Sequence, residues 1–146
     1  MKLILVGFVA LIGMFIAFQP IANGRISAAA GAPVAGAISN FIVGIVALGL
    51  VVVSGVAGRP NLSTLGQAPW WAWTGGLIGA TFVTSMILVV PRIGAVTAFA
   101  AIIMGQLIGS AVIDNFGLFG MPSVTLSPLR GIGLALIVVG VFLTQR

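Results

Sequence analysis

The chain has 146 residues, of which 60% are hydrophobic and 5% charged, and its mean hydropathy is +1.32. Six Lys/Arg and one acidic residue cannot cover a water-soluble surface, because soluble domains carry about 25% charged residues. Cys and His are absent, which excludes disulfides, thiol chemistry, His proton relays, haem ligation by histidine and most transition-metal sites. What remains is an all-α integral membrane protein whose solvent is the lipid bilayer. Residues 1–146 are read as a single domain of five transmembrane helices, with no room for a soluble catalytic domain beside them.

Segment one covers residues 3–29. Its apolar part, Leu3 to Phe18, is slightly short for a span, and Gln19-Pro20, Asn23 and Arg25 follow. Pro20 kinks rather than ends a membrane helix when neighbouring groups satisfy the freed carbonyl. A secretory signal peptide is the competing reading, since Lys2 precedes the apolar run and Ala28-Ala29-Ala30 mimics a cleavage site. The polar stretch ahead of those alanines is long for that role.

Segment two covers residues 33–57. It opens on Pro33, which suits a first helical turn, and Asn40 is its one strongly polar interior residue. Gly58 to Pro69 reads as a loop with Arg59-Pro60-Asn61 turn chemistry. Segment three covers residues 70–90 and opens on Trp70, Trp71 and Trp73. These suit the aromatic belt at a membrane surface; an aromatic wall for a ligand is the alternative. Gly75 and Gly79 form a GxxxG pair that allows close helix contact.

Pro91-Arg92 reads as a very short connection into segment four, residues 93–113. A helix of that length measures ~31 Å, close to the ~30 Å hydrocarbon thickness. Gly105 and Gly109 form a second GxxxG pair. Residues 114–127 read as a loop rich in Gly, Pro and Ser, and segment five covers residues 128–143.

Polar side chains are costly in lipid and usually face the bundle interior. Gln19, Asn23 and Ser27 recur at i, i+4, i+8 and so share one helix face; Gln106, Ser110 and Asp114 repeat the spacing. With Asn40 in segment two and Thr81, Thr84 and Ser85 in segment three, these residues are candidates for a hydrogen-bonding pathway near the midplane. Gln19, Asn23, Asn40, Thr81, Ser85, Gln106 and Ser110 are its expected lining. The competing reading is interhelical glue, at about 0.6 kcal/mol per hydrogen bond.

Arg25 and Arg92 sit near span ends. Topogenic snorkelling to the interface is their first reading, and anion attraction at a cavity mouth the second. Asp114 falls at the interface end of segment four. No metal site is expected, no cofactor, and no catalytic arrangement: there is no Ser–His pair, no metal motif, and a single carboxylate cannot form a dyad. The net charge of +5 lies on scattered single residues, so nucleic acid is not an expected partner either.

Five spans place the two termini on opposite sides. One side then carries Lys2, Arg59 and Arg130, and the other Arg25, Arg92 and Arg146. This three-against-three balance gives the insertion machinery no orientation signal. Insertion in both orientations and pairing as an antiparallel homodimer is the expectation, which makes the chain half of a ten-helix assembly with inverted symmetry. The alternative is a single orientation set by other features or by a partner chain, as in a paralogous heterodimer.

Several stretches together carry a family resemblance: Gln19-Pro20-Ile21-Ala22-Asn23-Gly24, residues 69–80 around the tryptophans, Pro91-Arg92-Ile93-Gly94-Ala95, Gly105-Gln106-Leu107-Ile108-Gly109-Ser110, and Asp114-Asn115-Phe116-Gly117-Leu118-Phe119-Gly120. Over essentially its whole length the chain resembles the YdcZ-type inner-membrane exporters of the drug/metabolite transporter superfamily. The resemblance implies a five-helix unit of a prokaryotic cytoplasmic membrane. It also implies kinship with the small multidrug resistance proteins, which act as antiparallel dimers with alternating access. Those relatives exchange protons at a glutamate in their first helix. This chain has no Glu and offers Gln19 and Asn23 there, so a neutral or anionic solute suits it better than a cation. The expected function is transport of a small solute. A dual-topology ion channel and a non-transporting assembly subunit are the alternatives.

Overall fold

The computed structural model describes residues 2–145, with side chains from Leu3 onward; the side chain of Lys2 and all of Arg146, both used in the charge balance above, lie outside the described residues. Every regular element is helical. The five α-helices are α1 (Lys2–Ala30), α2 (Pro33–Ser54), α3 (Thr74–Ile93), α4 (Ala95–Phe116) and α5 (Pro128–Leu143), with short 3-10 turns at Leu65–Gln67, Trp70–Trp73 and Leu118–Gly120. Four stretches are long and apolar enough to cross a bilayer: Leu3–Ala30, Pro33–Ser54, Trp70–Ile93 and Ala95–Phe116. Helix α5 is apolar but has 16 residues, ~24 Å.

The burial pattern is that of a lipid-facing protein. Leu3, Val53, Val56 and Leu129 are almost fully exposed, while Asn23 and Ser27 are buried. In water this would be inverted; in hydrocarbon the apolar side chains need no cover and the polar ones do.

The chain forms two compact units that divide after Val90. In the first, α1 and α2 are a tight antiparallel hairpin. Gly31 ends α1 in the left-handed region at φ +69°, and the Ala32 N–H returns to the Ser27 carbonyl at 3.1 Å. Pro33 then starts α2 where its missing N–H costs nothing. Beyond α2, Ala37 packs with Val83 and Ile87 of α3 in a small apolar cluster covered by Phe82.

The second unit is built on α4 and α5. The connecting segment is tied to the end of α4: the Val124 N–H donates to the Asp114 carbonyl at 2.7 Å, and the Leu126 N–H donates to Asn115 Oδ1 at 3.2 Å. Ser127 caps α5 by accepting the Arg130 N–H, and Pro128 occupies the first turn. At the far end, the Thr97 hydroxyl of α4 donates to the Thr144 carbonyl at 2.9 Å, which satisfies one of the orphan acceptors that end α5.

Helix ends differ from the sequence reading chiefly in α2, α3 and α4. Helix α2 stops at Ser54 rather than at residue 57, because Gly55 adopts φ +74° and closes the helix. Helix α3 runs through Pro91-Arg92 to Ile93, so these residues are not the connection; the break is Gly94 alone, at φ +80°. Helix α4 continues to Phe116, where Gly117 takes the left-handed cap, so Asp114 and Asn115 belong to its last turn and not to a loop. The tryptophans form a 3-10 turn that leads straight into α3.

Candidate functional site

The polar face of α1 meets α2 around one side chain. Gln19 Nε2 donates to Asn40 Oδ1 at 2.7 Å, and Asn23 Nδ2 donates to the same oxygen at 3.4 Å. Helical spacing explains the pairing: Gln19 and Asn23 lie one turn apart on the face that α2 covers. One turn further on, the Ser27 hydroxyl donates to the Pro33 carbonyl at 2.8 Å and accepts the Gly36 N–H at 3.1 Å. The line of Gln19, Asn23 and Ser27 thus fastens α1 to the first turns of α2.

Gly36 makes this approach possible. A Cβ placed there would run into the Asn23 carbonyl oxygen, and would lie 2.5 Å from Ser27 Oγ. The sequence signal, a Gly within the small-residue run Ala35-Gly36-Ala37, is present but was not singled out above.

The amide cluster is not sealed. Asn40 Oδ1 spends its two lone pairs on Gln19 and Asn23. The Asn40 NH2, Gln19 Oε1 and Asn23 Oδ1 then remain for other partners. Among the described residues no buried side-chain N or O lacks a hydrogen bond, so these remaining groups open onto accessible space. Gln19 and Asn40 are half-buried and Asn23 is buried.

The other predicted pathway residues lie on α3 and α4. Thr81 is exposed on α3 and donates its hydroxyl to the Leu77 carbonyl of its own helix; Ser85 is exposed one turn on. Gln106 and Ser110 are exposed on α4. Among the glycines, Gly79 faces the Phe41 ring at ordinary contact distance. The spaces beside Gly75, Gly105 and Gly109 are open. Arg25 and Arg92 are exposed.

The second unit holds a charged pair that the sequence reading did not assemble. Arg130 Nη1 of α5 stands 4.0 Å from Asp114 Oδ2 of α4. Both line an open cavity of about 290 Å³ with Ser110 at its polar end and Leu107, Leu134 and Ile137 among its apolar walls. Asp114 lies in the last turn of α4, on the face it shares with Ser110, and Arg130 in the first turn of α5.

The family described as "Putative inner membrane exporter, YdcZ" matches residues 4–143. The Inner membrane protein YdcZ of Escherichia coli (strain K12) is 35% identical over 111 residues, covering 73% of this chain and 71% of the relative. No solved structure matches. With four helices of membrane-spanning length and these matches, the chain is a multi-pass inner-membrane protein.

Proposed function

Since this chain belongs to the family described as "Putative inner membrane exporter, YdcZ", we propose that it moves a small solute across the membrane by alternating access, as a dual-topology antiparallel homodimer. The Gln19–Asn23–Asn40 cluster carries the reading. Three amides converge between two long apolar helices, with donors and acceptors still open, where simple helix glue would close them against one another. Amides bind neutral groups and weakly bind anions, and without any Glu the chain lacks the acid that the small multidrug resistance proteins, implied as kin by the resemblance, use for proton–cation exchange. The even split of basic residues supports two opposed copies, each supplying one amide cluster to a shared path.

Flux in proteoliposomes tests the proposal. Reconstituted protein is expected to show saturable counterflow of a small solute, lost in Asn40→Ala while the protein remains folded and dimeric by crosslinking. Conductive, non-saturating current would identify a channel instead. Full function of a Gln19→Ala/Asn40→Ala variant in cells would point to an assembly subunit.

A further inference from the structure

We infer that the cavity between α4 and α5 binds a small zwitterion that carries an apolar tail, with Asp114 taking its cationic group and Arg130 its anionic group. None of its residues belongs to the amide cluster, and binding there can be measured whether or not the transport reading holds.

The first observation is the spacing of the pair. A charge-assisted hydrogen bond is about 2.7–2.9 Å long, and Asp114 and Arg130 stand 4.0 Å apart with side chains 43% and 55% exposed. The two groups attract each other but do not satisfy each other. The guanidinium fork and the second carboxylate oxygen remain available to a ligand.

The second observation is the shape of the cavity. Its charged end lies at the last turn of α4 and the first turn of α5, anchored by the loop bonds to the Asp114 carbonyl and to Asn115. Its walls run inward along both helices, with Leu107 and Ile137 each seven residues deeper, ~10 Å of helix, than Asp114 and Arg130. A polar head would sit at the interface and a short chain would follow the apolar walls into the span.

The third observation is charge. A cation alone would answer Asp114 and leave Arg130 uncompensated; an anion alone would do the reverse. Both side chains are partly exposed, so each contact is modest, and a ligand that answers only one group forgoes the contribution of the other. A zwitterion answers both groups and adds no net charge. The Ser110 hydroxyl, one turn before Asp114, supplies a further hydrogen bond. Two sources share this chemistry: a free amino acid with an aliphatic side chain, and the headgroup of a zwitterionic aminophospholipid.

The test is thermal unfolding of the purified full chain in a neutral detergent, titrated with norleucine, hexanoate, pentylamine and dihexanoylphosphatidylethanolamine. The expected result is a saturable rise in Tm with at least one of the two zwitterions and little with hexanoate or pentylamine. Norleucine alone acting identifies a free solute; the phospholipid alone acting identifies a lipid site. Asp114→Asn and Arg130→Gln should each weaken half-saturation about tenfold or more, the cost of one charge-assisted hydrogen bond. Gly133→Leu fills the cavity from α5, where a side chain meets open space, and keeps both charges. It should abolish the ligand response in a folded protein even if the charge variants do not fold. No shift with either zwitterion, an equal shift with hexanoate, or a response unchanged by Gly133→Leu would overturn the inference.

Discussion

Gly36 has room for a hydrogen atom and little else. Any side chain there must push α2 away from the Asn23 carbonyl and from the Ser27 hydroxyl that its own N–H reaches. We expect Gly36→Ala to destabilise the hairpin by about 1–3 kcal/mol, the usual range for overpacking, read as a lower Tm in detergent. Asn40→Ala acts differently. It removes an acceptor shared by two bonds, which at about 0.6 kcal/mol each amounts to ~1 kcal/mol. Its effect on flux should far exceed that small loss of stability, and the two measurements made on one preparation separate glue from pathway. The polar face of α1 was legible in the sequence because helical period alone aligns Gln19, Asn23 and Ser27. The role of Gly36 was not, because it depends on how closely a second helix approaches, and nothing local to Ala35-Gly36-Ala37 encodes that distance.

Helices α1 to α4 stop at glycines rather than at prolines. Gly31, Gly55 and Gly117 each turn left-handed at a helix end, and Gly94 parts α3 from α4 at φ +80°, ψ 154°. Pro91 lies within α3, where only one hydrogen bond is forgone. The sequence reading broke the chain at Pro91-Arg92 by the habits of soluble helices, and so began α4 too early and ended it before Asp114. The end of α4 mattered most, because the last turn of that helix brings Asp114 over Arg130. Gly94 occupies a backbone region that side-chain-bearing residues avoid. Gly94→Ala should cost about 1–3 kcal/mol and lower Tm accordingly, whereas Gly105→Ala, beside open space in a helix interior, should be neutral or slightly stabilising.

At the scale of the whole molecule the basic residues are the variable to change. Arg59→Ala leaves two positive residues on one side against three on the other, and both Arg59 and Arg25 are exposed. A C-terminal reporter should then favour the cytoplasm, since the heavier side carries the C-terminus. Arg25→Ala should bias the reporter the opposite way. If opposed copies form the working unit, either variant alone should lose transport and the two co-expressed should regain it. A reporter that stays on one side in the wild type would exclude the dual-topology dimer. The number and order of helices were legible in the sequence because hydropathy and length suffice for them. The pairing of α1 with α2 through amides, and of α4 with α5 through charges, required the fold.

Helix α5 is ~24 Å long and its partner α4, with 22 residues, ~33 Å. The Thr97 hydroxyl holds the Thr144 carbonyl and so satisfies one of the acceptors at the end of the shorter helix. If α5 spans the bilayer, lipid beside it must thin or the helix must draw its polar end inward, and either adjustment depends on acyl-chain length. Vesicles of short-chain lipid should suit this protein better than long-chain ones. Hydrophobic mismatch thereby becomes a means by which membrane composition sets its activity.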